Sequence, residues 1–314
     1  MAKTDFFISI DWGTSNFRLR LVNRQTFQIK EEIKTNNGVK QVYDDFIKQK
    51  ELNQFQFFIN YLEKELLKLS DKNRNHSIVI SGMASSNIGM LALKYADLPI
   101  SNNGNTLVVE KFSFKKYQNA LLVSGVKGID DVMRGEEVQA LGLVESLNDD
   151  GVLILPGTHS KHITFTNGKF TKIKTFLTGE LFELLSKKSI LSGNVELTEW
   201  NEKNKEAFRK GAKIGFSGNL TNSLFSLRVN DLMKKTTKAY NYYFLSGLVF
   251  GDEISNLKTA FKTVYLAAPS EINHLYELAL KLLLKENQLI VFDQNTYNQA
   301  LTKGQLKLLK LHEF

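Results

Sequence analysis

The stretch Phe6-Phe-Ile-Ser-Ile-Asp-Trp-Gly-Thr-Ser-Asn-Phe-Arg-Leu-Arg-Leu-Val22 largely decides the fold expected for this 314-residue chain. Its opening apolar run predicts a buried strand that stops at the turn signal Asp11-Trp-Gly13. Residues 17–22 alternate between apolar and polar side chains, as a half-buried strand does. We therefore predict a β-hairpin with a polar turn over Asp11–Asn16, followed by a third strand at Thr26–Lys30.

The same pattern recurs in the second half of the chain. Strand, turn, strand, hairpin signal and third strand follow one another at Val152–Leu155, Pro156–Thr158, Lys161–Phe165, Asn167-Gly168 and Lys169–Phe176. A Gly-Thr pair lies in the first turn of each copy, and a linker-like turn at Asn148–Gly151 separates the copies. This weak duplication, in a chain long enough for about two domains, predicts an α/β protein of two similar lobes.

Other segments extend the α/β pattern. Gln54–Leu69 carries apolar residues at helical spacing, and Val132–Val144 is a second predicted helix. Two late strands are predicted at Thr263–Ala267 and Gln288–Phe292, each followed by a helix.

Composition excludes several classes of protein and site. With 42% apolar and 24% charged residues, the chain is an ordinary globular sequence. It has no cysteine, which excludes disulfides, zinc–thiolate sites and cysteine nucleophiles. The longest apolar run, Tyr242–Phe250, is half the length that a membrane span needs. We expect a cytoplasmic protein that does not enter a membrane.

The net charge of +8 comes from the second half of the chain. Residues 1–150 carry 19 basic and 19 acidic side chains, whereas residues 151–314 carry 22 and 14. A basic half can attract nucleic acid or a small anionic ligand, or it can be a solvated surface. The lysines are scattered, and no aromatic residues interleave with a basic stripe, so we expect no nucleic-acid partner.

The two hairpin turns are candidate phosphate sites. In the first, Asp11 could hold Mg²⁺ beside the backbone and hydroxyl groups of Gly13, Thr14, Ser15 and Asn16. The second brings together Gly157, Thr158, His159 and Lys161. The alternative for the first is a plain hairpin turn, and the alternative for His159 is a surface or packed histidine.

Two further segments carry polar groups suited to a substrate. Glu136 or Glu137, near a predicted helix start, could act as a general base, and adjacent positions on a helix face different directions. Alternatively, both glutamates only favour the helix N-terminus electrostatically. The loop Ser81–Gly89, with Ser85, Ser86 and Asn87, could contact a sugar or could be an ordinary capped loop. Neither a Walker A nor a dinucleotide-binding glycine motif is present.

These residues also carry a resemblance to a known family. The matching segments are Ile10-Asp-Trp-Gly-Thr-Ser-Asn-Phe-Arg18, Ser81-Gly-Met-Ala-Ser-Ser-Asn-Ile-Gly89, Val132-Met-Arg-Gly-Glu-Glu-Val-Gln-Ala-Leu-Gly142, Leu155-Pro-Gly-Thr-His-Ser-Lys161 and Leu177-Thr-Gly-Glu-Leu181. In order and spacing they resemble the 2-dehydro-3-deoxygalactonokinases, sugar-acid kinases of the actin–hexokinase–Hsp70 superfamily. The remainder of the second half matches only loosely.

The resemblance implies an architecture and a reaction. It implies two RNase H-like (actin-like ATPase) lobes with an inter-lobe cleft: an N-terminal lobe over residues 1–135 and a nucleotide-binding lobe over residues 136–314. It implies ATP and Mg²⁺ as cofactors and phosphorylation of 2-dehydro-3-deoxy-D-galactonate at its 6-hydroxyl. The expected partners are therefore the sugar acid and ATP, and the sequence is compatible with a homodimer.

The resemblance also implies a role for each matching residue. Asp11 would organise Mg²⁺, the turns at residues 13–16 and 157–159 would bind nucleotide phosphates, and Glu136, rather than Glu137, is the favoured base. The substrate carboxylate or the transferred phosphoryl group would be met by Arg18, Arg134 and Lys161, and the sugar by Ser85, Ser86 and Asn87. One departure concerns the adenosine turn, where this chain has Ala268 before Pro269 and the family tends to have glycine. The added methyl group could crowd the nucleotide or only repack the turn.

Two alternatives remain open from the sequence. One is a kinase of the same fold that acts on another 2-keto-3-deoxy acid or an amino sugar. The other is a nucleotide-binding sensor with weak turnover, which the departure at Ala268 would suit.

Overall fold

The computed structural model describes residues 5–70, 76–115, 117–257 and 262–313. The chain divides into two compact units. Unit 1 comprises residues 1–148, 167–173 and 298–314, and unit 2 comprises residues 149–166 and 174–297. The main boundary lies in the predicted linker-like turn, between Asn148 and Asp149. The lobe boundary that we predict at residues 135 and 136 stays a prediction.

Unit 1 contains a six-stranded sheet, a small three-stranded sheet, the further strand β6, which pairs with Lys169 and Phe170, and helices. The strands are β1 (Phe6–Trp12), β2 (Phe17–Asn23), β3 (Ile29–Thr35), β4 (Ile78–Gly82), β5 (Ala96–Asp97), β6 (Ile100–Ser101), β7 (Val109–Phe114), β8 (Tyr117–Val123), β9 (Val126–Lys127) and β10 (Val132–Met133). The helices that begin and end in this unit are α1 (Val39–Phe46), α2 (Gln54–Leu66) and α3 (Glu136–Leu143).

Unit 2 contains most of a second large sheet, with both antiparallel and parallel strand pairs, and a set of helices. Its strands are β11 (Gly151–Leu155), β12 (Ser160–Thr166), β13 (Lys169–Phe176, of which the last three residues belong to this unit), β14 (Thr263–Leu266) and β15 (Leu289–Val291). Its helices are α4 (Thr178–Lys187), α5 (Glu202–Gly215), α6 (Leu220–Leu232), α7 (Lys238–Ile254) and α8 (Ser270–Leu283). The last helix, α9 (Gln294–His312), begins in unit 2 and lies mainly in unit 1.

The two large sheets have the same strand order. It is β3-β2-β1-β4-β8 in the first sheet, with β7 added next to β8, and β13-β12-β11-β14-β15 in the second, with β6 added next to β13. In the first sheet, β1 pairs antiparallel with β2 and parallel with β4. In the second sheet, β11 pairs in the same way with β12 and β14. A hairpin meander followed by parallel strands on the other side is the RNase H-like arrangement. The structure therefore confirms the predicted α/β fold and its internal duplication.

Two predicted elements begin later than expected. The third strand begins at Ile29 and not at Thr26, because the Asn23 side chain accepts hydrogen bonds from the amides of Gln25 and Thr26 (both 2.9 Å) and so forms a tight turn. The helix predicted from Val132 begins at Glu136, since residues 132–133 pair with β9 as a strand. Gly135, with φ of 111°, separates the two elements in a conformation that a helix does not use.

A close helix crossing lies in the core of unit 2. A Cβ atom on Gly211 of α5 would lie 2.1 Å from the Phe244 carbonyl oxygen, and one on Gly247 of α7 would lie 2.1 Å from the Phe208 carbonyl oxygen. The backbones of α5 and α7 therefore meet at a distance that only glycine allows on either side. This contact fixes the position of α7, which carries Glu253 near its C-terminal end.

We predict that Gly247→Ala destabilises unit 2 although alanine is the better helix former. Helix propensity favours the change by up to about 1 kcal/mol, but overpacking against the α5 backbone costs about 1–3 kcal/mol or more. Thermal unfolding should show a lower Tm for this variant. Gly193→Ala is the matched control, because nothing lies within 4 Å of its added Cβ. Equal Tm values for the two variants would contradict the close crossing.

Candidate functional site

In unit 1, the candidate metal-binding carboxylate lies near the end of β1. Asp11 is paired across the hairpin with Arg18, whose guanidinium is 3.8 Å from its carboxylate, and the Asp11 side chain is 36% exposed. Burial raises the pKa of Asp11 above its ordinary value; the charges of Arg18 and Arg20 oppose the rise, and that of Glu136 adds to it. Asp11 therefore lies within electrostatic reach of Glu136 and remains open to solvent.

Two glycines bring the strand ends of unit 1 together. Gly82, at the end of β4, has φ of 90°, and a Cβ there would lie 2.8 Å from the Trp12 carbonyl oxygen. A Cβ on Gly135 would lie 3.4 Å from the Gly82 Cα atom. The end of β1, the end of β4 and the start of α3 thus pack backbone against backbone. This packing explains how the charge of Glu136, which is far from Asp11 in sequence, adds to the pKa of Asp11.

The two glutamates at the start of α3 have different environments. Glu137 is buried, and both of its carboxylate oxygens accept the Gly135 amide, at 2.9 and 2.7 Å. Burial raises the pKa of Glu137 to about 8, and the charge of Glu136 adds to the rise. Glu136 is half-buried and accepts the Arg134 amide at 3.1 Å. Glu136 is therefore the more accessible of the two carboxylates.

Arg134 connects α3 to the serine loop that follows β4. Its Nη1 donates to the Ser85 carbonyl and hydroxyl oxygens, both at 2.5 Å, and its guanidinium lies 4.2 Å from the centre of the Tyr95 ring. Ser85 and Ser86 are buried, and the Ser86 hydroxyl donates to the Met83 carbonyl at 2.7 Å. The structure thus brings two predicted substrate groups, Arg134 and Ser85, into direct contact.

Asn87 lies next to these residues in the chain and differs from them in exposure. Its side chain is exposed, and its carbonyl oxygen accepts a hydrogen bond from the Gln54 side chain at 2.9 Å. Its amide group is therefore accessible to a ligand, unlike the serine hydroxyls before it.

The first hairpin loop in unit 1 lies against the start of α1. It closes with a hydrogen bond from the Gly13 amide to the Asn16 carbonyl (2.9 Å). The carbonyl groups of the loop accept hydrogen bonds from the backbone amides of Gly38, Val39 and Lys40. The side chains of Thr14–Asn16 are exposed, and within the described ranges their amides donate no hydrogen bond to protein. Such consecutive free amides are suited to binding a phosphate.

The second hairpin loop, in unit 2, has the same construction. Residues 157–159 are exposed, and their amides likewise donate no bond to the part of the chain that the structure describes. The Thr158 carbonyl accepts the Glu180 amide of α4 at 3.0 Å. The His159 ring contacts the Glu180 carboxylate at 2.6 Å on the surface. Both loops therefore rest on a helix start and leave amides available.

Two predicted ligand-binding residues of unit 2 are buried. Lys161 is 4% exposed, and its ammonium donates to the His159 carbonyl at 2.9 Å, so it supports the second loop from below. Ala268 has no exposed surface, lies in the core cluster of the unit, and its carbonyl accepts the Gln294 side chain at 3.1 Å. Its methyl group packs against protein, which favours the repacked turn over a crowded nucleotide.

Asp11 is the carboxylate that fits a magnesium ion. The described residues contain no group of three or more acidic, histidine or cysteine side chains arranged to hold a metal. Mg²⁺ needs no such cage, since it keeps several waters and binds through one or two carboxylates and substrate phosphates. A half-exposed Asp11 beside the charge of Glu136 meets this requirement.

Sequence patterns single out neither Glu253 nor Tyr276, which form a buried polar cluster in unit 2. Glu253 accepts hydrogen bonds from Ser160 (2.7 Å), His162 (2.9 Å) and Tyr276 (2.6 Å). The one signal available in the sequence is the acidic pair Asp252-Glu253, which follows the largely apolar run Phe244–Phe250 of α7.

Gln305, in α9 of unit 1, also carries no sequence signal of its own. It is fully buried and donates to the Ile10 carbonyl at 3.0 Å and to the Ser81 hydroxyl at 2.9 Å. It therefore joins β1 and β4 directly behind Asp11.

Among the helices in the part of the chain that the structure describes, none has the length and hydropathy that a membrane span requires.

Comparison with known proteins identifies the family. The family model of the 2-keto-3-deoxy-galactonokinases matches residues 11–303. A Rhizobium meliloti protein, provisionally named a 2-dehydro-3-deoxygalactonokinase, is 26% identical over 294 residues, 90% of each chain. The 2-dehydro-3-deoxygalactonokinase of Escherichia coli is 27% identical over 188 residues, 58% of this chain and 61% of the relative.

A solved structure supports the same assignment. It is a Sinorhizobium meliloti protein provisionally named a 2-dehydro-3-deoxygalactonokinase, with a TM-score of 0.77 and 25% identity over 97% of this chain and 95% of the other. The fold and the family model therefore agree, and the chain belongs to the 2-keto-3-deoxy-galactonokinase family of carbohydrate kinases.

Proposed function

We propose that this chain transfers the γ-phosphoryl group of ATP to the 6-hydroxyl of 2-dehydro-3-deoxy-D-galactonate. The observation that carries the proposal is the cluster at the strand ends of unit 1, where Asp11, Glu136 and the Arg134–Ser85 pair come together. A carboxylate to accept a proton and a cation to meet an anionic group are what phosphoryl transfer to a sugar acid requires. The family match supports the substrate class.

In the proposed reaction, the substrate O6 attacks the γ-phosphorus. The new O6–P bond forms as the bond between the γ-phosphorus and the bridging oxygen breaks, and its electron pair leaves on ADP. The O6 proton passes to Glu136, which is half-buried and accessible. Glu137 is the weaker candidate for base, because with a pKa of about 8 its carboxyl is mainly protonated at pH 7. Its role in this proposal is to hold the Gly135 turn.

The remaining site residues bind and orient the two substrates. Arg134 is already fixed by Tyr95 and Ser85, so its guanidinium is preorganised for the carboxylate of the sugar acid. Arg18 is about as exposed as Asp11 and could meet the transferred phosphoryl group. The exposed Asn87 side chain suits a sugar hydroxyl.

Each hairpin loop is proposed as a phosphate-binding loop, through the free amides of residues 14–16 and 157–159. His159 would lie beside the phosphates, whereas the buried Lys161 supports its loop. Mg²⁺ held by Asp11 would neutralise charge on the phosphate oxygens.

The proposed reaction predicts ADP release that depends on the sugar acid. Purified protein with Mg-ATP and 2-dehydro-3-deoxy-D-galactonate should release ADP in a coupled assay, and a blank without sugar acid should not. The epimer 2-dehydro-3-deoxy-D-gluconate should react more slowly. The two acids differ at one hydroxyl group, and discrimination at one hydroxyl rests on a few polar contacts. ADP release with the epimer alone would show that the substrate is another 2-keto-3-deoxy acid. Nucleotide binding without release for either acid would favour a sensor.

The proposed base predicts a large kinetic effect at Glu136. Glu136→Gln should lower kcat by about 10²–10⁴-fold, the usual contribution of a general base, with little change in the KM for ATP. Steady-state kinetics measure both quantities. Glu145→Gln is the control, since Glu145 lies just after the end of α3 and its side chain is 86% exposed. A Glu136→Gln enzyme with near-normal kcat would remove Glu136 as the base.

The environment of Glu137 predicts a pH-dependent stability difference. Its folded-state pKa is raised to about 8, so the stability that its protonated form contributes is fully present below about pH 4.5 and is lost as pH rises through 8. Glu137→Gln cannot titrate, so its Tm relative to the wild type should increase between pH 5 and pH 9. A Tm difference that stays constant over this range would contradict a buried carboxyl, and Glu145→Gln should show such a constant difference.

A further inference from the structure

A carboxylate is buried directly beneath the second hairpin loop. Glu253, near the end of α7, is 2% exposed and has no lysine or arginine partner among the described residues. Four side chains converge on it instead. The hydroxyls of Ser160 and Tyr276 and the Nε2 of His162 lie 2.6–2.9 Å from its oxygens, and the Thr178 hydroxyl also hydrogen-bonds to it.

Hydrogen bonds keep this buried carboxylate ionised. Burial alone raises the pKa of Glu253, but the hydrogen bond and charge of His162 and the hydrogen bonds of Thr178 and Tyr276 outweigh burial and bring the pKa below its ordinary value. A buried polar network of this kind is often no more stable than apolar packing of the same volume. Its consequence is geometric, because a charged acceptor fixes the direction of every donor around it.

Two of the four donors control the position of the loop at residues 157–159. Ser160 is the first residue after the loop, so its hydrogen bond to Glu253 fixes the chain where it leaves the loop. Thr178 is the first residue of α4, the helix on which the loop rests. A Cβ on Gly179, the next residue of α4, would lie 2.6 Å from the Gly157 carbonyl oxygen. Glu253 therefore links α7 to the loop exit and to the supporting helix at once.

We propose that Glu253 is a positioning residue for nucleotide binding, which acts through Ser160 and Thr178 to hold the amides of residues 157–159 toward a phosphate. This inference rests on the proposed function in that it takes a nucleoside triphosphate as the ligand of the loop. It does not depend on which acceptor is phosphorylated. Glu253 touches neither the nucleotide nor the acceptor in this account.

The test compares Glu253→Gln with Glu65→Gln. Glu65 is a buried glutamate of unit 1 that pairs with Lys68 at 2.6 Å, so the control also removes a buried charge, but far from the loop in sequence and in a different unit. Calorimetric titration with Mg-ATP, without any acceptor, gives the Kd, and steady-state kinetics give the KM for each substrate. Thermal unfolding verifies that each variant is folded.

We expect Glu253→Gln to raise the Kd and the KM for ATP about tenfold, as the loss of hydrogen bonds to a charged group does, and to change the KM for the acceptor less than twofold. Glu65→Gln should change neither. If Glu253→Gln does not fold, Ser160→Ala, which removes one hydrogen bond, should still raise the Kd for Mg-ATP about threefold.

Four outcomes bear on the inference, three against it and one in its favour. A folded Glu253→Gln protein that binds Mg-ATP as the wild type does would overturn the inference, and so would an equal loss in Glu65→Gln. A wild-type protein that binds no Mg-ATP would overturn it together with the proposed function. Binding of Mg-ATP without phosphorylation of the sugar acid, with a weakened Kd in Glu253→Gln, would support the inference and reject the proposed acceptor.

Discussion

The backbone of each hairpin loop lies so close to the start of a helix that only glycine fits between them. A Cβ on Gly38 would lie 2.3 Å from the Thr14 carbonyl oxygen, and one on Gly179 would lie 2.6 Å from the Gly157 carbonyl oxygen. This contact uses the loop carbonyls as acceptors, and the amides of residues 14–16 and 157–159 donate to no other group in the part of the protein that the structure describes. These amides belong to exposed residues, and consecutive accessible amides are what a phosphate needs. Both units meet the same constraint in the same way.

The charged groups of unit 1 depend on a similar close approach. Because Gly82 and Gly135 allow the ends of β1 and β4 and the start of α3 to touch, acidic side chains remote in sequence share one environment. These side chains differ in their exposure. Glu137 is buried and has a pKa of about 8, whereas Asp11 and Glu136 are partly exposed to solvent. Packing alone therefore separates one enclosed carboxyl group, which is mainly protonated at pH 7, from two neighbouring acidic side chains that stay accessible.

Much of this organisation could be predicted from the sequence, and the reasons for the limits are physical. Hairpins, loops and the duplication have local signals, since alternation and turn residues report on neighbours in the chain. The pairing of Arg134 with Ser85 and the contacts of Gln305 are long-range, and no local pattern encodes them. Lys161 looks like a ligand-binding cation in the sequence, yet the fold buries it under its own loop. Glu253 could not be recognised for the same reason, because its four donors lie on β12, α4 and α8, away from Glu253 in sequence.

We propose that the phosphoryl group is transferred to the primary hydroxyl of a sugar acid. Proton-coupled ³¹P NMR of the product made from Mg-ATP and 2-dehydro-3-deoxy-D-galactonate tests this claim most directly. The account predicts a phosphomonoester signal split by two protons, as a phosphate on the CH₂ group at C6 requires. A signal split by one proton, from a phosphate on a secondary hydroxyl, or inorganic phosphate as the sole new product, would contradict it.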